Sequence, residues 1–169
     1  MAVKIKHFVG IDVSKAKLDI VILCNSKFIS HEIVDNNHES ILCFLDDYKK
    51  RKGFTIKNSL FCMEETGIYT AILARVLEKA KANFVIENAY HIKHSLGTKR
   101  EKSDKIDAHG IAVYAFKNCN ELNLHSSRRT VIEQLKLLEK LRTRIIGLRV
   151  ALNNPLSEQA KYLTNAQYL

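Results

Sequence analysis

Asp12, Glu64, Asp104 and Asp107 are the residues of this chain best suited to chemistry, because each is an acid at the end of an apolar segment or one helical turn from another. Asp12 follows Val9-Gly10-Ile11, Glu64 follows Leu60-Phe61-Cys62-Met63, and Asp104 and Asp107 share the segment Lys102-Ser103-Asp104-Lys105-Ile106-Asp107-Ala108. An acid at the end of a buried strand costs free energy unless a cation meets it. Several in one pocket repel one another and raise their own pKa values until divalent cations neutralise them. Carboxylate oxygens are hard ligands that suit Mg2+ or Mn2+ rather than zinc. Two such ions about 4 Å apart activate a nucleophile and stabilise the leaving oxygen of a phosphodiester. These four acids are the expected metal ligands and catalytic groups. Successive strand residues face opposite ways, so only one of Glu64 and Glu65 points into such a site; Glu64 is the choice, and Glu65 remains the alternative.

Asp12 and Glu64 become neighbours if the strands they close lie side by side in parallel. The apolar segments permit this. Phe8 to Asp12, Leu18 to Leu23 and Lys27 to Val34 read as three strands of an antiparallel meander, with Ser14-Lys15-Ala16 and Asn25-Ser26 as turns. Asp35 to Glu39 offers N-cap residues for a helix bearing Ile41, Leu42, Phe44, Leu45 and Tyr48, and Gly53 follows its end. Ser59 to Met63 is a buried strand, Thr66-Gly67 a turn, Ile68 to Ala80 a helix with Ile72, Leu73, Val76 and Leu77 on its apolar face, and Phe84 to Ile86 a short strand. This order predicts an α/β domain, a mixed sheet with helices on both faces, on the ribonuclease H-like plan.

Ala89 to Arg100 turns basic and loses clear periodicity. A helix is expected from about Ser103 to Lys117, with Ser103 or Asp104 as its cap, so that Asp104 and Asp107 project from one face. After the polar segment Asn118 to Arg129, a long helix is expected from Val131 to Leu152. Its Ile132, Leu135, Leu138, Leu141, Ile145, Leu148 and Leu152 recur at the spacing of a coiled-coil seam, which suggests a homodimer or a docked partner helix. Pro155 is expected to stop it, and Leu156 to Leu169 shows too little pattern to assign. The expected organisation is a catalytic domain over 1–127, a long helix over 128–154 and a tail over 155–169.

The chain has 169 residues and a net charge of +9. That length suits one domain, which buries roughly two thirds of its unfolded surface. The charge favours a polyanionic partner, since Lys and Arg that neutralise phosphates release condensed counterions. Lys15, Lys93, Lys99, Arg100, Lys102 and Lys105 are the expected nucleic-acid contacts, against the plainer reading of a solvated loop. The first apolar run is broken by Asp12 and followed by Lys15 and Lys17, unlike a signal peptide. No stretch is long and apolar enough to span a bilayer. Cys24, Cys43, Cys62 and Cys119 form no CxxC pair and read as buried, reduced thiols of a cytoplasmic protein.

Three segments together carry a family resemblance. Gly10-Ile11-Asp12-Val13-Ser14-Lys15, Glu64-Glu65-Thr66-Gly67-Ile68-Tyr69 and Lys102 to Ala108, with Asn88 and Lys93 between them, resemble the signatures of the DEDD transposases of insertion-sequence family 110. That family includes the Piv invertase and bridge-RNA-guided recombinases. The resemblance spans about residues 5 to 150 and implies an N-terminal RuvC-like domain of a bacterial transposase or site-specific recombinase. By it, Asp12, Glu64, Asp104 and Asp107 form the tetrad that binds Mg2+ or Mn2+, the partner is DNA, and a guide RNA serves part of the family. Glu65, Ser103 and Ala89 depart from the usual small residue, Thr and Pro. Family members carry a further C-terminal domain with a serine nucleophile, so the chain is expected to be the metal-binding half alone. The competing expectations are a stand-alone RuvC-like nuclease and a non-catalytic nucleic-acid-binding or dimerisation remnant. An actin-like ATPase is disfavoured, because Val13-Ser14-Lys15 lacks the glycines that admit phosphates.

Overall fold

The computed structural model describes residues 4–96, 103–125 and 130–166. The chain divides into two compact units, Met1–His125 and Ser126–Leu169. The first contains β1 (His7–Val13), β2 (Lys17–Cys24), β3 (Lys27–Asp35), α1 (His38–Lys50), β4 (Ser59–Glu64), α2 (Thr70–Lys79), β5 (Asn83–Glu87), α3 (Ala89–Leu96) and α4 (Asp104–Lys117). The second contains α5 (Thr130–Ala166).

The five strands form one sheet in the order β3-β2-β1-β4-β5. β1 pairs antiparallel with β2, and β2 with β3, whereas β4 runs parallel to both β1 and β5. Alternation along β1 divides the core. Val9, Ile11 and Val13 point to the face covered by Ile41, Leu45 and Tyr48 of α1 and Leu73, Val76 and Leu77 of α2. Phe8 points to the other face, where Val21, Leu23, Leu60, Cys62 and Val85 meet Ala108, Ile111, Ala112 and Ala115 of α4. This is the mixed sheet flanked by helices that the ribonuclease H-like plan requires, with the carboxyl ends of β1 and β4 side by side.

α4 lies unusually close to β1, and Gly10 is the reason. A Cβ built on Gly10 would stand 2.2 Å from the backbone nitrogen of Ala112 and 2.3 Å from the carbonyl oxygen of Ala108. Small residues on both sides therefore let a helix backbone touch a strand backbone. One step toward the amino end of β1, Phe8 meets Phe116 edge to face at 5.2 Å between ring centroids. One step the other way lies Asp12, and one helical turn before Ala108 lies Asp104. Helix and strand thus run in opposite directions, with their acids at the same end.

Several expectations change. α2 begins at Thr70, after a 3-10 turn over Gly67–Tyr69, and Ile72 is exposed while Thr70 joins the buried face. The basic segment after β5 is a helix at Ala89–Leu96, not a loop. Asn88 accepts the Tyr90 amide through its side chain, and Ile92 is buried while Tyr90, His91, Lys93, His94 and Ser95 are exposed. So exposed and polar a stretch offers little periodicity to detect. Of the cysteines, Cys62 alone is buried, and burial pushes its thiol up to about 12; Cys43 is exposed. Pro155 does not end the long helix, which continues to Ala166. Proline removes one hydrogen bond, here to the Ala151 carbonyl, but Leu156, Ser157, Glu158, Gln159 and Ala160 retain their own amides and resume the ladder. Among the described residues no helix is long and apolar enough to cross a membrane.

Gly10→Ala is expected to destabilise the protein by about 3 kcal/mol, because the methyl meets backbone that cannot repack as a side chain would. Gly147→Ala in α5, where a Cβ meets nothing within 4 Å, is expected to stabilise its helix by about 0.5–1 kcal/mol. Urea denaturation of both variants checks the contrast.

Candidate active site

The end of the sheet where β1 and β4 terminate gathers carboxylates from three strands and a helix. β1 and β4 are paired through Ile11 and Met63, which leaves Asp12 and Glu64 as the next residues along adjacent parallel strands. Glu64 has the parity of Leu60 and Cys62 and so faces α4. Glu65 takes the opposite parity and is exposed, with its amide bonded to the Glu87 carbonyl at 2.9 Å. Ser103 caps α4 by accepting the Ile106 amide, which puts Asp104 and Asp107 in its first turn. That position is favourable to acids, since unpaired amides and the helix dipole make the amino end positive.

Electrostatics registers the convergence. The Asp12 carboxyl is raised to about 6, first by burial, then by the negative charges of Asp107, Asp104, Glu64 and Asp19. All four of the predicted acids therefore share one field. Among the described residues no set of three acid, imidazole or thiol groups is disposed to ligate a single ion. The carboxylate of Asp104 is turned instead toward Lys17, whose ammonium lies 2.7 Å from its Oδ2.

Asp19 is the acid that sequence reasoning missed. It sits directly opposite Asp12 in the β1–β2 pairing and is 3% exposed. Its Oδ2 is 3.0 Å from the Lys17 ammonium and its Oδ1 is 2.9 Å from His31 Nε2. The signal was present: in Leu18-Asp19-Ile20-Val21-Ile22 a charged residue interrupts a core strand, and hairpin pairing places it on the face of Asp12. Glu87 is a second such residue. It pairs with Glu64 across β4 and β5. Burial would raise its pKa, but hydrogen bonds from the Asn88 amide, His91 and the Tyr114 hydroxyl hold it below the ordinary value.

Asn36 braces the loops that leave the two acid-bearing strands. Its side-chain amide donates to the carbonyls of Ser14 at 2.8 Å and Tyr69 at 3.0 Å. Of the expected nucleic-acid contacts, Lys15 is exposed on the β1–β2 turn and Lys93 on α3, while the Lys105 ammonium stands 5.5 Å above the Phe28 ring. Lys99, Arg100 and Lys102 lie outside the described residues.

The four acids offer hard oxygen donors, the type a divalent ion takes, and Asp12 carries an electrostatic cost that a cation would relieve. With its carboxyl raised to about 6 against the ordinary 3.8, Asp12 holds a proton between about pH 4 and 6 in the folded protein that the unfolded chain has released. Its contribution therefore makes the metal-free protein more stable as pH falls from about 7 toward 4. Asp12→Asn should remove that component, so the difference in melting temperature between variant and wild type is expected to be largest above pH 6 and to shrink toward pH 4.

No curated protein matches the chain. Two solved structures of RuvC from Thermus thermophilus share its fold. One, in complex with a Holliday junction substrate, aligns at a TM-score of 0.51 with 15% identity, covering 70% of this chain and 99% of that chain. The other aligns at a TM-score of 0.51 with 14% identity over the same shares. The family model of the DEDD transposases of insertion-sequence family 110, described as a transposase, matches residues 9–163. This chain belongs to that family of transposases.

Proposed function

We propose that Met1–His125 is the metal-dependent DNA-processing domain of a transposase, in which Asp12, Glu64, Asp104 and Asp107 hold Mg2+ or Mn2+ and act on DNA phosphodiesters. What supports this reading is the geometry: Asp12 and Glu64 follow the last paired residues of adjacent parallel strands, Asp104 and Asp107 sit in the first turn of α4 toward the same end of the sheet, and the Asp12 carboxyl is raised by burial and by these charges. Bound divalent ions would supply Lewis-acid stabilisation of the phosphate and a deprotonated nucleophile at neutral pH. The protein's own contribution is positional. The Gly10 contact fixes the height of α4 above β1, the Ser103 cap orients its first turn, and Asn36 braces the two strand-end loops.

DNA is the proposed partner. The net charge of +9 and the exposed Lys15 and Lys93 support backbone contacts near the site, with the salt dependence that phosphate binding entails. In α5, Ile132, Leu135, Leu138, Leu141, Ile145, Leu148 and Leu152 are all exposed. At that heptad-like spacing they would pair with the same helix of a second copy.

Incubation of branched or single-stranded DNA with Mg2+ or Mn2+ tests the chemistry. Wild type is expected to cleave, and Asp12→Asn and Asp104→Asn to lose at least a hundredfold in rate, consistent with loss of electrostatic stabilisation of the reacting phosphate. Binding of the same DNA without cleavage would support the non-catalytic reading instead. Leu138→Glu with Leu141→Glu is expected to convert a dimer to a monomer in light scattering.

A further inference from the structure

Lys17 places a positive charge inside the acid cluster, and nothing above gives it a role. The turn that presents it is closed on itself: the Ser14 amide and hydroxyl both donate to the Lys17 carbonyl, and the Lys17 amide donates back to the Ser14 hydroxyl. Its ammonium lies 3.0 Å from Asp19 Oδ2 and 2.7 Å from Asp104 Oδ2. The two ends of this bridge differ. Asp19 is buried and has His31 on its other oxygen, whereas the Asp104 side chain is 55% exposed. The Asp19 end is an anchor and the Asp104 end is free to open.

We infer that Lys17 is a resident counter-ion of the Asp104 half of the cluster, and that a divalent cation engages Asp104 only by displacing this ammonium. The inference rests on the metal-binding reading above. A carboxylate oxygen engaged in a charge-assisted hydrogen bond is a weaker ligand, and a divalent ion bound through either oxygen of Asp104 would stand close to the ammonium and meet a like charge. Lys17 lowers the pKa of Asp104 by its hydrogen bond and its charge. Asp12 is pushed in the opposite direction by burial and four neighbouring carboxylates. The halves of the cluster are therefore unequal. Asp12 has the most to gain from the first ion, and Asp104 has a partner to give up. Because Asp19 tethers the ammonium, displacement is a short swing of a flexible stem that leaves the charge near the pocket.

Calorimetric titration with Mn2+ alone tests this on wild type, Asp12→Asn, Lys17→Gln, Lys17→Arg, Asp104→Asn and the Lys17→Gln/Asp104→Asn double variant. Lys17→Gln keeps a donor for Asp19 but removes the charge, and is expected to bind Mn2+ about five- to tenfold more tightly. Lys17→Arg should match wild type, and the gain should vanish in the double variant relative to Asp104→Asn. In wild type labelled with 15N at its lysine ammonium groups, the Lys17 Nζ resonance should shift in step with Mg2+ saturation. Equal or weaker Mn2+ binding by a folded Lys17→Gln, or a gain that survives Asp104→Asn, overturns the inference. If Lys17→Gln does not fold, the wild-type resonance decides, and an Nζ signal unmoved at saturating Mg2+ rejects it. Mn2+ binding that Asp12→Asn abolishes and Lys17→Gln leaves unchanged would remove this inference alone. No binding by any protein, wild type included, would remove it together with the metal-binding reading.

Discussion

The backbone contact between α4 and β1 at Gly10 governs this domain. With 2.2 Å between a hypothetical Cβ and the Ala112 nitrogen, no other residue at position 10 permits the same separation. The contact decides more than packing. A strand advances about 6.6 Å in two residues and a helix about 6 Å in four, so Asp12 and Asp104 leave the contact by matching steps toward the same end of the sheet. Ala108, Ala112 and Ala115 keep the helix low along its length, and the Phe8–Phe116 pair holds its far end.

The cost of this arrangement is charge. The four acids and Asp19 lie toward one end of the sheet, Asp19 buried and the Asp104 side chain 55% exposed, and the Asp12 carboxyl is raised by burial and by their charges. The fold meets part of that cost from within. The helix amino end favours Asp104 and Asp107, and Lys17 neutralises Asp19 and Asp104 together. What is left uncompensated is concentrated on Asp12, between the β-hairpin and the parallel pair. What that leaves is a raised carboxyl on Asp12 beside two carboxylates, Asp19 and Asp104, that are already paired with Lys17.

Much of this was legible in the residues themselves. The strand and helix order, the pairing of β1 with β4 and the cap at Ser103 follow from periodicity and from the small set of ways such elements pack. Asp12 and Glu64 stood out because each ends an apolar run, and Asp104 and Asp107 because they stand one helical turn apart in a segment with a capping residue. Asp19 and Lys17 did not, because their meaning depends on hairpin register: Asp19 faces Asp12 only once the turn at Ser14 is closed. α3 was hidden for a different reason, since around the buried Ile92 its residues are mostly polar or exposed and show no clear repeating apolar face. Pro155 misled through a rule that describes cost rather than prohibition. One missing hydrogen bond and a ring clash of about 3 kcal/mol bend a long helix without ending it.

α5 is a separate physical problem from the domain that precedes it. α5 is 37 residues long and its Ile132, Leu135, Leu138, Leu141, Ile145, Leu148 and Leu152 are exposed; that apolar pattern cannot belong to a core of its own, since a single helix has none. The seam from Ile132 to Leu152 is spaced for another helix, while Lys140, Arg142, Arg144 and Arg149 are exposed in the same stretch. On the proposed reading, one stripe of α5 would bring subunits together while the cations beside it held nucleic acid, so that assembly and substrate binding would be coupled through a single element.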